Sequence, residues 1–479
     1  MSMRNTASSP VDVPIAPVRS QEAHAWRWLA LPVLMTGTFV IVLDFFIVNV
    51  ALPSIQFELR VRSSTIEWVV AGYGLTFAIF LITAGRLGDQ FGRRRLLLSG
   101  FGLFTLASAA CGLAPDAGVL IGARLLQGMA AALISPSVLS LIGVIYTGSD
   151  RVRAVGVYAL VMGIAAAGGQ LIGGVLVQAD IAGLGWRMVF LINLPVGLAA
   201  LALAPRLIPE SRAANPKPLD LLGLALVTVA LTLLVAPMIE GPALGWPAWT
   251  LYCLAAAPVL LAGFAAHQVW IGGRGAAPLL DPALFRERAF SAGLLTQLAF
   301  WCGQAAFFLI LAIYLQQGRG LDPLHAGLVF TILAGAYLVA SVRAPALTVR
   351  HGRALVGAGA VTLAAGHCLL LGGLSTGAGI GLLAPGLLLV GAGMGLCITP
   401  LTTIVLGSID AQRAGTVSGT LSTMQQVGNS VGVAVTGAIF FGTLGAGYTR
   451  AFGYSVAELA CLLAMVALLS RLLPALRPA

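Results

Sequence analysis

Long apolar stretches, each ended by a short polar or basic turn, recur along the whole chain. They fall at about 28–53, 67–86, 96–114, 118–146, 154–178 and 187–205, then at about 219–239 and 250–271. Six more follow at about 290–316, 326–345, 354–374, 378–406, 414–443 and 453–473. Each is long enough to cross a hydrocarbon layer of roughly 30 Å as a helix. Barrel strands alternate apolar and polar positions, so they do not produce such continuous runs. The pattern predicts an all-α polytopic membrane protein with fourteen transmembrane helices.

Composition sharpens this reading. Of 479 residues, 58% are hydrophobic and only 9% are charged, with a mean hydropathy of +0.96. Soluble domains carry about 25% charged residues. The net charge of +10 would suggest nucleic acid in a soluble protein. Here the bases sit in short turns, so topology explains them and no nucleic-acid partner is expected. With the N-terminus inside, twenty-one of the 27 bases fall on the cytoplasmic side and five outside. That asymmetry obeys the positive-inside rule. It predicts a multi-pass protein of the inner (cytoplasmic) membrane with both termini cytoplasmic. Residues 1–27 lack a long apolar run and read as a cytoplasmic tail rather than a cleaved signal. The expected plan is a six-helix bundle over 28–205, a linker with two extra helices over 206–289, a second six-helix bundle over 290–474, and a tail over 475–479. Two basic, glycine-bearing turns, GRLGDQFGRRR (Gly85–Arg95) and PALTVRHGRA (Pro345–Ala354), hint that the bundles are repeats in parallel.

Several chemistries are absent from the sequence. Lys217 is the sole lysine, so no Walker A motif exists to hold a nucleotide. The five histidines show neither HExxH nor zinc-finger spacing, and the six cysteines form no CxxC. No catalytic constellation, metal or cofactor is expected. What remains is a carrier driven by an ion gradient, or by its substrate's own gradient.

Charge at membrane depth costs a few kcal/mol even on lenient scales, so the residues that bear it are functional candidates. Asp44 lies well inside the first run and Arg124 early in the fourth. They read either as a proton-coupling site, the acid taking up the proton and the base biasing it, or as a static pair. Glu67, at a helix start, reads as an acid favoured by the helix dipole. Gln297, Trp301, Gln304 and Phe308 share one helix face, as do Ser418, Ser422, Gln425 and Asn429. Such faces suit either a wet substrate cavity or hydrogen bonding between helices. Gly169, Gly173 and Gly174, and Gly428 and Gly432, mark close helix packing.

These motifs together resemble the major facilitator superfamily, and specifically its fourteen-span drug:proton antiporters of the EmrB/QacA type. GRLGDQFGRRR is similar to the superfamily's loop signature at Gly85, Leu87, Gly88, Asp89, Gly92, Arg93 and Arg94, with Gln90 where a base is usual. LDFFIVNVALP, ARLLQGMAAA and WRMVFLINLPVG are similar to motifs of spans one, four and six. In GGQLIGG, Gln170 stands where the antiporter motif of span five has proline. The resemblance implies two six-helix bundles plus two inserted central helices, and alternating access to a central cavity to which Gln127 and Gln170 also belong. It implies that Asp89 contacts the start of the helix near Gly415, and that Arg93 and Arg94 hold the loop to acids or lipid phosphates. Gly85, Gly88 and Gly92 would permit its tight turn. The implied partners are protons, membrane lipids and a hydrophobic or amphipathic, cationic small molecule, with an accessory efflux protein left open. The alternatives are an exporter or importer of one metabolite, or a membrane sensor that does not transport.

Overall fold

The computed structural model describes residues 22–213, 218–275, 278–375, 380–407 and 414–474. All regular structure among them is helical. In the first part of the chain run α1 (Glu22–Leu59), α2 (Ser63–Phe91), α3 (Arg93–Gly112), α4 (Ala117–Ile145), α5 (Gly148–Ala179), the short α6 (Met188–Leu191) and α7 (Asn193–Leu207). Then come α8 (Leu221–Leu244) and α9 (Ala248–Gly273), followed by α10 (Arg288–Ile313), α11 (Pro323–His351), α12 (Arg353–Ser375), α13 (Ala384–Gly407), α14 (Ala414–Gly442) and α15 (Tyr448–Ser470). α6 and α7 lie in one continuous span, Gly185–Leu207. Thirteen spans among the described residues are long and apolar enough to cross a membrane. The fourteenth, α14, is 29 residues long but carries Gln425, Gln426 and Asn429 in its interior. Asp116, Asp220 and Asp322 start α4, α8 and α11 by accepting a backbone N–H of the first turn.

The two halves repeat one plan. In the first, α1 packs on α5, α2 and α3 on α4, and α3 on α7; in the second, α10 packs on α14, α11 and α12 on α13, and α12 on α15. The correspondence extends to single residues. Gly92 ends α2 with φ +108° and Gly352 ends α11 with φ +53°, left-handed values that an L side chain rarely adopts. Arg94 then donates to the carbonyls of Pro205 (3.2 Å) and Ile208 (3.1 Å), at the close of the first half. Arg353 does the same to Arg471 (2.9 Å) and Leu473 (2.8 Å), at the close of the second. The halves meet along two seams, α5 against α11 and α2 against α14.

The inserted pair breaks this symmetry. α8 and α9 pack on each other, and α8 covers the α2–α14 seam. A polar clasp fixes the pair at the end that carries the basic loops. Asp220 accepts from Gly223 N–H (2.8 Å) and Gln268 Nε2 (2.8 Å) and bonds His267 Nε2 (2.9 Å). Arg86 donates to the carbonyls of Pro218 (3.0 Å) and Pro278. Burial alone would raise the Asp220 carboxyl, but the bonds from His267, Gly223 and Gln268 hold it below its ordinary value. The clasp is therefore complete above the unfolded aspartate value of about 3.9 and is lost as pH falls through the lower folded one. Proteolysis of the 274–287 connection should be unchanged between neutral pH and about pH 4.5, and Asp220→Ala should accelerate it at neutral pH.

Small residues set the helix spacing, as the glycine spacing predicts. A methyl on Gly169 would lie 2.9 Å from Phe46 Cβ, and one on Gly173 2.7 Å from the Ile47 carbonyl, both on α1. On Gly174 it would meet the Pro323 carbonyl at 2.5 Å, across the α5–α11 seam. In the second half, a methyl on Gly428 would reach the Leu298 carbonyl at 3.0 Å, and one on Gly432 the Cys302 carbonyl at 1.8 Å. Backbone cannot move aside as a flexible side chain can. Gly432→Val should cost about 3 kcal/mol or more, above the range for ordinary overpacking, read as a lowered midpoint of thermal unfolding in detergent.

Candidate functional site

The first half holds a fully buried ionic cluster. Asp44 on α1 is 0% exposed and Arg124 on α4 is 1% exposed. Arg124 Nη1 donates to Asp44 Oδ2 at 2.5 Å and to Gln127 Oε1 at 2.7 Å, while its Nε donates to the Val69 carbonyl at 2.9 Å. Asp44 Oδ1 accepts from Gln127 Nε2 (2.8 Å) and Asn193 Nδ2 (2.9 Å). The guanidinium also lies 4.3 Å from the Tyr73 ring centroid. Arg124 and Gln127 are three residues apart on α4, so both point at α1. A buried ion pair is tolerable only when its remaining hydrogen-bonding capacity is filled, and this one is filled from α1, α2, α4 and α7. Gln127, expected in the substrate cavity, is instead a member of this cluster. Its amide is consumed by Asp44, Arg124 and Ser108. Asn193, Tyr73 and Ser108 carried no role in the sequence reading. The signal was present for Asn193, a lone amide inside an apolar run.

A central cavity lies between the halves. Of the residues expected there, Gln170, Trp301, Gln304, Phe308, Gln425 and Asn429 line it. Gln297 does not: it is buried, 4% exposed, and is not among the lining residues. Its spacing keeps it on the face of Trp301, Gln304 and Phe308, but it lies a full turn nearer the start of α10, about 6 Å along the axis from Trp301. Ser422 is not among the lining residues, and the side chain of Ser418 lies outside the described residues. The walls are aromatic and aliphatic. Phe46 meets Phe308 edge-on at 5.0 Å, and Phe308 stacks on Phe330 at 5.7 Å. Both amide atoms of Gln170, and Oδ1 of Asn429, lack a protein partner. A buried amide left so costs about 1–3 kcal/mol, so these atoms favour a guest that bonds them.

Asp44 and this cavity share one turn of α1. Asp44 points back into the first half, whereas Val42, Phe45 and Phe46 form cavity wall. At the end opposite the basic loops the halves are tied together. Gln316 Nε2 donates to the Val50 carbonyl (2.9 Å) and Gln317 Nε2 to Gln56 Oε1 (2.9 Å).

The loop of GRLGDQFGRRR differs from its expected form. Gly85 and Gly88 are helical, and Gly92 alone makes the turn. Asp89 Oδ1 accepts from Arg93 at 2.9 Å, and the Asp89 carbonyl accepts from Ala213 N–H at 3.2 Å. The segment 408–413 and the side chains of 414–416, toward which Asp89 was expected to point, lie outside the described residues. Glu210, which the sequence reading passed over, is the acid that organises the turn. It accepts from the backbone N–H groups of Arg94 (3.1 Å) and Arg95 (3.2 Å), capping α3.

Comparison with known proteins agrees with the fold and the motifs. The profile of the Major Facilitator Superfamily matches residues 34–433. The chain is 40% identical over 432 residues to the probable actinorhodin transporter of Streptomyces coelicolor, covering 88% of this chain and 74% of that one. It is 36% identical over 412 residues to the multidrug resistance protein Stp of Mycobacterium tuberculosis, covering 86% and 75%. The crystal structure of a bacterial homologue of the human lysosomal transporter Spinster, inward-facing and unoccupied, superposes with a TM-score of 0.68 at 17% identity, covering 95% of this chain and 99% of that one.

Removing one member of the buried pair leaves the other uncompensated. Arg124→Ala should lower stability by about 3–5 kcal/mol, and adding Asp44→Asn should recover much of the loss. Thermal unfolding of the single and double variants in detergent measures both.

Proposed function

This chain belongs to the major facilitator superfamily and is a membrane transporter rather than an enzyme, and we propose that it is a proton-driven exporter of planar, amphipathic small molecules of the fourteen-span drug:proton antiporter type. The single observation that carries the reading is the sharing of α1. Asp44, held by Arg124, Gln127 and Asn193, sits beside Phe45 and Phe46 in the cavity wall. Protonation of Asp44 cancels its charge and weakens three bonds at once, because each donor prefers the ionised carboxylate. α1 is then free to shift against α4 and α7, and the aromatic wall shifts with it. A guest in the cavity and a proton on Asp44 thereby compete through one helix, which is the logic of exchange.

The cavity wall explains the substrate class. It holds no charged side chain among the described residues, so selection rests on ring stacking and on amide bonds from Gln170 and Asn429. Neutral or delocalised aromatic compounds suit it better than compact cations. The relatives named for actinorhodin transport and multidrug resistance support efflux of small molecules. In the proposed orientation the basic loops face the cytoplasm, so the bonds from Gln316 and Gln317 close the outer end and the state is inward-facing. Rocking of the halves about the α5–α11 and α2–α14 seams would then expose the cavity outward. Gln170, in place of the proline of the antiporter motif, favours one second reading, symport with inward transport.

In proteoliposomes with an imposed proton gradient, a panel of planar aromatic dyes and antibiotics should be exchanged for protons, seen as a pH fall on the cytoplasmic face when compound is added to that face. Asp44→Asn should reduce this exchange by roughly tenfold or more, equivalent to at least about 1.4 kcal/mol of lost coupling, while leaving dye binding in detergent. Undiminished gradient-driven flux would remove Asp44 from the mechanism, and a pH change of opposite sign would establish symport.

A further inference from the structure

Glu67 is the buried acid that the proposed cycle leaves unused, and its surroundings are not those of a helix-dipole acid. It lies in the second turn of α2, at the end opposite the basic loops, and is 2% exposed. Its carboxyl presses on α14: a methyl on Gly437 would lie 2.2 Å from Glu67 Oε2. That oxygen has no hydrogen-bond partner, and no basic side chain pairs with Glu67 among the described residues. The charged neighbour is another acid, Glu240 of α8, whose Oε1 accepts from Trp68 Nε1 at 2.8 Å. Two carboxylates without a cation, in an apolar seam, cannot both stay ionised.

The other elements packed on α2 supply no counter-charge. α14 carries no ionisable residue, and Thr436 on it donates to Glu458 of α15 on its far side. Arg124 of α4 reaches the Val69 carbonyl but is committed to Asp44. Glu58 of α1 pairs with Arg187, and the bases of α3 lie at the opposite end. The seam itself joins all three parts of the molecule: α2 of the first half, α8 of the insertion and α14 of the second half.

We propose that Glu67, with Glu240, is a second proton-binding site, distinct from Asp44, whose occupancy latches α14 against α2 at the outer end. With the proton bound, the carboxyl lies against the Gly437 backbone and the seam closes. As the halves part, water reaches the two acids, the proton leaves, and like-charge repulsion holds the seam open. This gives the inserted helices a task, since α8 brings Glu240 to one seam and no acid to the other. The site's part in transport rests on the proton-driven reading above, whereas its response to pH does not.

The test is the distance between spin labels carried on non-canonical residues at Arg62 and Gly445, which flank the outer ends of α2 and α14, in nanodiscs with the six native cysteines in place. In the wild-type protein the short-distance population should grow as pH falls from about 8 to about 5. Glu67→Gln should hold the short distance at both ends of that range. Glu240→Gln should move the midpoint to lower pH by about one unit, the expected effect of deleting a like charge; it keeps the question answerable if Glu67→Gln does not fold. Asp44→Asn should lose transport yet keep the distance change, so failure of the transport reading and failure of the latch are separate results. A wild-type pH response in Glu67→Gln, its loss in Asp44→Asn, or a distance that follows sodium concentration instead of pH overturns the proposal.

Discussion

An ionised group inside a hydrocarbon layer must be paired, and the first half of this protein is arranged around that requirement. Asp44 and Arg124 lie on different helices, and the pair is buried completely. Satisfying it takes Gln127 from the same face of α4, Asn193 from the start of α7 and a backbone carbonyl from α2. Four helices are thereby held in one register by one carboxylate and one guanidinium. Such a cluster is weak evidence for stability, since an apolar replacement of similar volume is often as stable. Its value lies elsewhere. It ties α1, which also forms cavity wall, to α4 and α7 through a single carboxylate.

The halves share a plan, but their chemistry is divided. The first carries the buried ion pair. The second contributes Trp301, Gln304, Phe308, Gln425 and Asn429 to the cavity, and its central helix α14 holds no charge. The inserted pair departs from this symmetry by covering the α2–α14 seam, and it is clasped to Arg86 at the basic end. The two seams are thus chemically unequal. α5 and α11 meet through small residues, where Gly174 faces Pro323 and Gly327 faces the Gln170 carbonyl. α2 and α14 also meet through small residues, Gly74 against Ser430, but toward one end they meet across the carboxyl of Glu67.

Some of this is written in local sequence. Fourteen apolar runs specify helices because a backbone in lipid must bond to itself, and boundaries differ by a few residues where helices extend beyond the layer, as α1 does. The glycine pairs were legible because spacing of four puts them on one face. Asp44 and Arg124 stood out because charge is rare in such runs. Gln127 and Gln297 show the limit. Periodicity places a side chain on a face of its own helix, but not which neighbour that face meets. Gln127 turned to the carboxylate, and Gln297, on the face that Gln304 and Trp301 share, lies a turn before the stretch of α10 that forms cavity wall.

What the sequence determined by itself, then, is everything that depends on one helix or one turn: the spans, the basic loops, the isolated charges and the small-residue faces. The hydrophobic requirement acts on each span separately, so no partner need be known. What only the tertiary structure decided is who meets whom. Glu210 caps α3 from 115 residues away, Asn193 completes Asp44 from 149 away, and Trp68, next to Glu67, bonds an acid of the insertion, Glu240. Those pairings arise because hydrogen bonds and charge pairs are satisfied by whichever polar group packing brings near. Packing among similar apolar helices is set by shape over the whole bundle, which no single stretch of sequence contains.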